Sequence, residues 1–229
     1  MSARDVLVVD LGLGNLRSVA RALARAGGAP QVSRDPDLVR RAPRVVVPGQ
    51  GAFRDCARAL AGPEGLGEAL REQLVRGTPY LGLCLGMQVL FGGSDEAPGC
   101  AGLGWFAGHV ARLPQGMRDP ETGERLKVPH MGWNEVRRAA QPAGAHPGLP
   151  ERAWFYFVHS FHCVPDDPAL VAATCSYGLE LCVAVARDHV LAVQFHPEKS
   201  QDAGARVLEW FVRGAAEGRP AGQEAGPWS

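Results

Sequence analysis

The sequence predicts a single α/β domain with a central, mostly parallel sheet flanked by helices and an antiparallel portion in its second half. Three observations carry this. In the first third, short apolar runs alternate with helical stretches, which implies strands joined by crossovers and a sheet covered on both faces. In the second half, apolar segments of strand length follow one another quickly with turn residues between, as antiparallel strands do. The 229 residues, 46% hydrophobic, suffice for one full-sized core, and no repeat or linker marks a second domain.

The elements follow in order. Val6-Leu7-Val8-Val9 is a buried strand, Gly12 and Gly14 make a tight turn, and residues 15–26 carry apolar positions at helical spacing until Gly27-Gly28. Val45-Val46-Val47 is a second strand ended by Pro48-Gly49. Residues 65–76 are helical and residues 79–83 form a third strand. Segments 105–112, 133–136, 154–158, 170–174, 181–186 and 190–194 are read as antiparallel strands, with Phe155 and Phe157 as core, and residues 201–213 as a closing helix. Residues 92–104 and 114–125 are loops. The composition of 217–229 is that of a flexible tail, leaving 1–216 as the folded domain.

Composition excludes several functions. Lys and Arg number 24, as do Asp and Glu, and the cations are scattered instead of forming a stripe, so no nucleic-acid partner is expected. The start, Met1-Ser2-Ala3-Arg4-Asp5, lacks the apolar run of a signal peptide, and no segment is long enough to span a bilayer; a cytoplasmic protein without a membrane partner is expected. The six cysteines, at 56, 84, 100, 163, 175 and 182, show no C-x-x-C pair and read as reduced thiols. His159 and His162 point to opposite faces of a strand, and with Cys163 they suggest no fourth ligand, so no metal is expected. Gly12 and Gly14 do not make a dinucleotide fingerprint, because Arg17 stands where the third glycine belongs and Asp35 precedes Pro36. No cofactor is expected.

Two segments carry chemistry. In Gly82-Leu83-Cys84-Leu85-Gly86-Met87-Gln88, glycines two places either side of a cysteine relieve the crowding of an abrupt strand-to-helix turn and leave the thiol exposed for attack. An isolated G-x-C-x-G is equally a buried cysteine between packing glycines. At the far end, His196-Pro197-Glu198 follows an apolar strand and supplies a general base with a carboxylate two residues on. In extended backbone the two side chains share a side, so Glu198 can orient His196 toward a nucleophile.

Together, the G-x-C-x-G-x-Q elbow and the distal H-P-E resemble the class I, or triad-type, glutamine amidotransferases over nearly the whole chain. Three further segments narrow the resemblance: Asp10-Leu11-Gly12-Leu13-Gly14-Asn15-Leu16, Pro129-His130-Met131-Gly132-Trp133-Asn134 and Phe157-Val158-His159-Ser160-Phe161. They are similar to the members that supply ammonia to a cyclase subunit in histidine biosynthesis. The alternatives are glutaminases serving anthranilate, GMP or pyridoxal phosphate synthesis, and a stand-alone cysteine hydrolase.

The resemblance implies that L-glutamine is the substrate, Cys84 the nucleophile, His196 the proton carrier and Glu198 its orienter. It implies an oxyanion hole of backbone N–H groups from Leu85 and from the loop at Gly49 and Gln50. The family usually has a small aliphatic residue where Gln50 stands, and the loop is expected to reorganise when the partner is loaded. Gln88 would hold substrate through its side chain, and His159, Ser160 and Phe161 largely through backbone; many relatives have tyrosine in place of Phe161. The partner implied is a (β/α)₈-barrel cyclase subunit in a heterodimer, with ammonia crossing the barrel. Asn15, Met131, Trp133, Tyr156 and Lys199 match positions facing that interface.

Overall fold

A computed structural model describes residues 4–139 and 146–214. Its first strand, β1 (Asp5–Val9), sends Val6 and Val8 into one apolar core and Leu7 and Val9 into another, so both faces are buried. After it come α1 (Leu16–Arg25), β2 (Ala29–Ser33), α2 (Pro36–Arg41), β3 (Val45–Gly49), α3 (Phe53–Ala61) and α4 (Leu66–Arg76). The elbow is β4 (Tyr80–Cys84) running directly into α5 (Leu85–Gln88). The second half holds β5 (Gly108–Arg112), β6 (His130–Arg138), β7 (Arg152–His159), β8 (Phe161–Pro165), β9 (Val171–Ser176), β10 (Glu180–Arg187), β11 (Val190–Val193) and α6 (Gln201–Gly214).

These strands form one mixed sheet in the order β2-β1-β3-β4-β11-β10-β9-β6-β7, with β8 pairing β10 and β5 off the main path. Pairing is parallel from β2 to β11 and antiparallel beyond. Strand β11 corrects the expectation for 190–194. It is antiparallel to β10 but parallel to β4, Ala192 lying beside Gly82, and so joins the two halves and brings the chain's end to the elbow. One face packs Val39, Phe53, Leu60, Leu70 and Leu74 from α2, α3 and α4. The other packs Leu23 from α1 and Val207, Leu208 and Phe211 from α6.

Several elements extend the sequence reading. Segment 105–112 is a strand only from Gly108, Trp105 and Phe106 being tied instead to the Leu90 carbonyl. Segment 170–174 begins in a 3₁₀ turn (Pro168–Leu170) before β9. Strands β2 and β8 and helices α2 and α3 are additions. Residues 92–104 and 114–125 hold no strand or helix, although the first is tethered: Glu96 Oε2 accepts from the Phe53 N–H at 2.7 Å, capping α3 from a distance. The expected tail at 217–229 lies outside the described residues.

Candidate active site

Close approach of backbone segments dictates the elbow. Cys84 has φ 54 and ψ −104, a conformation an L residue holds only at a cost of ~1–3 kcal/mol. Gly82 and Gly86 are both required by space: a Cβ on Gly82 would stand 2.5 Å from the Gly86 carbonyl oxygen, and one on Gly86 would fall onto the Val47 carbonyl oxygen. Tyr80 locks the turn from beneath, its buried hydroxyl donating to the Gly86 carbonyl at 2.9 Å. The thiol thus sits at the sheet's carboxyl edge, where α/β folds place their ligands.

His196 arrives on the neighbouring strand end. Here the structure corrects the expected geometry: Pro197–Lys199 is a 3₁₀ turn with His196 at its N-cap, not extended chain. The tight turn still brings Nδ1 of His196 to 2.9 Å from Glu198 Oε1, both side chains being only 2% exposed. Burial alone would lower the imidazole's pKa, but the Cys84 sulfur and the Glu198 carboxylate outweigh it and raise the value to about 9. Nε2 is buried and meets no acceptor at full hydrogen-bond geometry, yet the Cys84 sulfur, by hydrogen bonding and charge, comes first among the groups that raise the imidazole's pKa. An imidazolium held to that pH beside the sulfur is the counter-ion a thiolate nucleophile requires.

The turn is bolted to β7. The His196 N–H donates to the Tyr156 carbonyl at 2.9 Å; Ser200 Oγ donates to the His196 carbonyl at 2.6 Å and accepts from the Tyr156 N–H at 3.0 Å. A second buried glutamine, Gln194, donates to Cys84 Sγ at 3.4 Å and accepts from Gln88 at 3.0 Å. Sequence reading missed Gln194 and Ser200. Gln194 looks like the polar end of an apolar strand, and the only local sign of its role is that it precedes H-P-E by two residues.

The oxyanion candidates lie beside the elbow. Gly49 lies beside Cys84 in the β3–β4 register, and a Cβ there would meet that of Leu85 at 2.7 Å. Leu85 opens α5, so its N–H has no partner within the helix. Gln50 does something the sequence did not suggest: its amide lies 3.4 Å from His196 Nδ1, whose proton Glu198 already takes. Gly14, Asn15, Gly49, Gln50, His196 and Glu198 line one small cleft.

The remaining predicted residues fall into two groups. Gln88 is buried, its Nε2 donating to the Phe161 carbonyl at 3.2 Å, and His159 Nδ1 meets the same oxygen at 2.9 Å; Ser160 lies between. Met131 and Trp133 are exposed, at 62% and 45%. The Trp133 ring meets Tyr156 edge-on across the β6–β7 pair, and Lys199 Nζ sits 5.6 Å from the Tyr156 ring centre. Trp154, 57% exposed, extends this face, whereas Phe155 and Phe157 point into the core and stack near Phe195. Asn15 caps α1 at the rim of the cleft. Among the described residues no group of three His, Cys, Asp or Glu is arranged to hold a metal, and no helix is long and apolar enough to cross a membrane.

A nucleophile elbow at the carboxyl edge of a mixed sheet, with a His–Glu pair beside it, defines a triad amidotransferase site, and residues 7–215 match the family described as "Glutamine amidotransferase class-I". A solved structure, that of PurLQS from Thermotoga maritima, shares the fold with a TM-score of 0.71 over 93% of this chain and 99% of its own, at 16% identity. The chain is 49% identical over 215 residues to the imidazole glycerol phosphate synthase subunit HisH of Methylococcus capsulatus, covering 91% of this chain and 96% of the relative. It is 47% identical to the subunit of the same name from Dechloromonas aromatica, covering 93% and 97%. The chain therefore belongs to the class-I glutamine amidotransferases and, within them, to the family of HisH subunits of imidazole glycerol phosphate synthase.

Proposed function

We propose that this chain is the glutaminase subunit of imidazole glycerol phosphate synthase, hydrolysing L-glutamine and passing the ammonia to a (β/α)₈-barrel cyclase subunit. The observation that carries the reading is the buried His196–Glu198 pair placed beside a strained, glycine-flanked Cys84. The Cys84 thiolate attacks the side-chain amide carbon of glutamine, and the carbonyl oxygen, now an oxyanion, is held by N–H groups from Leu85 and the Gly49-Gln50 loop. His196 gives its proton to the leaving nitrogen, releasing ammonia and a thioester. Neutral His196 then takes a proton from water, whose oxygen attacks the thioester; glutamate departs, and the thiolate and imidazolium are restored. Gln88 and the His159–Phe161 backbone hold the amino-acid end of the substrate.

The apolar face made by Met131, Trp133 and Tyr156 supports an interface role, because exposed aromatics clustered on a rigid strand pair are what a docking surface uses. Tyr156 joins this face to the catalytic turn by the backbone bonds at His196 and Ser200. Trp133→Ala is therefore expected to weaken complex formation and glutamine-driven cyclisation by ~10-fold or more, the loss typical of a central interface aromatic, while cyclase turnover fed with ammonium salt is retained. Unchanged affinity and unchanged glutamine-driven turnover would return Trp133 to an ordinary surface residue.

Gln50 supports a brake on the free subunit. Its amide nitrogen, which only donates, lies 3.4 Å from the Nδ1 that His196 already commits to Glu198, so donor faces donor and the oxyanion loop presses on the triad in this resting state. Gln50→Ala is expected to raise glutamate release by the isolated chain several-fold, a change on the scale of one unfavourable polar contact, and to narrow the ratio between partner-activated and basal rates. A basal rate that stays level or falls in Gln50→Ala removes the brake from the account.

A further inference from the structure

Close to the glutamine site lies a pair of histidines whose side chains the mechanism does not use. His130 opens β6 and His159 closes β7, directly across the strand pair. Both are buried, at 2% and 6% exposure, and their rings meet with His130 Nδ1 2.9 Å from His159 Nε2. His159 Nδ1 lies 2.9 Å from the Phe161 carbonyl oxygen, and the Asn134 amide nitrogen lies 3.3 Å from His130 Nε2.

Elementary hydrogen-bond logic fixes every proton in this chain. A carbonyl oxygen only accepts, so Nδ1 of His159 carries the hydrogen. Burial holds both rings neutral, lowering His130 to about 4 and His159, which also feels His130, to about 3. A neutral imidazole has one N–H, so His159 Nε2 accepts, and the donor must be His130 Nδ1. His130 Nε2 is then an acceptor, filled by Asn134. Asn134 agrees independently: its Nδ2 also donates to the Ser176 carbonyl at 2.9 Å, and its Oδ1 accepts from the Glu135 N–H at 2.7 Å. Stacks on Phe157, with centroids 4.6 Å apart, and on Tyr177, at 3.9 Å, fix the plane of the His130 ring, and a half-turn within that plane would set ring carbons against His159 Nε2 and the Asn134 amide and lose both hydrogen bonds. Tyr177 is itself anchored, its hydroxyl donating to the Lys127 carbonyl at 2.7 Å.

The chain ends on an oxygen that matters to the substrate. The Phe161 carbonyl accepts from His159 and from Gln88, so its two lone pairs are both committed. Its orientation fixes the Phe161–His162 peptide plane, and with it the end of the His159–Phe161 segment, against Gln88 one turn past the nucleophile.

We propose that His130 is a positioning residue for the glutamine site: by donating from Nδ1 it selects the His159 tautomer that anchors the Phe161 carbonyl, linking strand β6 to the backbone that holds the substrate's amino-acid end. The glutamine-site part of this inference rests on the glutaminase reading above; the tautomer assignment does not. His130 lies on the same strand as Met131 and Trp133, so a partner pressing on that face acts one residue from the relay.

Two variants separate positioning from packing. His130→Phe keeps a stacked ring and removes the donor; His130→Asn keeps an N–H near the Nδ1 position and loses ring area. Glutamate release by each chain, complexed with its cyclase partner, is measured against glutamine concentration, and ring-nitrogen NMR shifts of His159 are recorded in the wild type and in any variant that folds. The expected results are a KM for glutamine raised ~10-fold in His130→Phe with a smaller change in kcat, partial rescue in His130→Asn, and a His159 protonated on Nδ1 in the wild type that becomes a mixture of tautomers in His130→Phe. A His159 protonated on Nε2 in the wild type overturns the proposal even if neither variant folds. An unchanged KM in a folded His130→Phe, or a greater KM defect in His130→Asn than in His130→Phe, also overturns it. If wild-type complex released no glutamate, the glutaminase reading would fail while the NMR result still decided the tautomer.

Discussion

Cys84→Ala and His196→Ala are each expected to lower kcat for glutamine hydrolysis by ~10⁵ or more, and Glu198→Ala by at least ~10-fold less, the pattern of a triad whose third member orients the second. The inequality follows from the site. In the proposed mechanism Cys84 supplies the bonding electrons and His196 the proton for the leaving nitrogen, and neither role passes to another residue. Glu198 shares with the Cys84 sulfur the work of raising the His196 pKa to about 9, and the sulfur alone retains part of that effect. Steady-state glutamate release at saturating glutamine checks it. Turnover by Cys84→Ala at the wild-type rate, or equal losses for all three, contradicts the assigned roles.

Gly86→Ala is expected to be the most damaging single-methyl addition in the molecule. The new carbon would lie far inside contact distance of the Val47 carbonyl oxygen, which belongs to a buried central strand and cannot retreat. Such a clash in a close-packed core costs ~4 kcal/mol or more, or ~10 °C of Tm in a chain of this size. Gly92→Ala is the control, since its Cβ would enter open space, and it should stay within ~2 °C of wild type. Thermal melts of the two proteins make the comparison; similar Tm values for both would mean that the elbow does not depend on the close approach of α5 to β3.

What the sequence revealed and concealed divides along the range of the interactions involved. Strands β1, β3 and β4 are legible because both faces are buried and, Asp5 apart, their residues are apolar. Strand β2 is not, because it lies at the sheet's edge, contains Pro30 and is largely unburied. Helix α2 is too short for periodicity to show, although Asp35 accepting from the Asp37 N–H and Pro36 at the first position form a start signal in plain view. Helix α3 carries Phe53, Cys56, Ala57 and Leu60 at helical spacing, but its cap comes from Glu96, far along the chain. The parallel pairing of β11 with β4 is likewise invisible locally, because it depends on which strand already occupies the neighbouring place.

The site shows the same division. Cys84, Gly82, Gly86 and the His196–Glu198 pair are readable because each serves a local backbone demand or a fixed chemical role. The geometry inferred for His-Pro-Glu was nonetheless wrong: side chains two residues apart meet across a 3₁₀ turn as well as along a strand. Gln194, Ser200 and His130 act largely through partners many residues away, and apart from the motifs they stand in or beside nothing local distinguishes them from core polar residues. Gln50 was visible as a departure, but its approach to His196 arises from the meeting of the loop after β3 with the turn after β11 across the end of β4.

The account's central claim is that the Cys84 site makes ammonia for a bound partner. The most direct test mixes this chain with its cyclase subunit and that subunit's ribonucleotide substrate, then follows glutamate, cyclised product and free ammonia in the same reaction. The account predicts that glutamate release accelerates on assembly and that each glutamate is matched by one cyclised product with little ammonia in the bulk solution. Equal glutamate release by the isolated chain and the loaded complex, with the ammonia recovered in bulk solution, would contradict it.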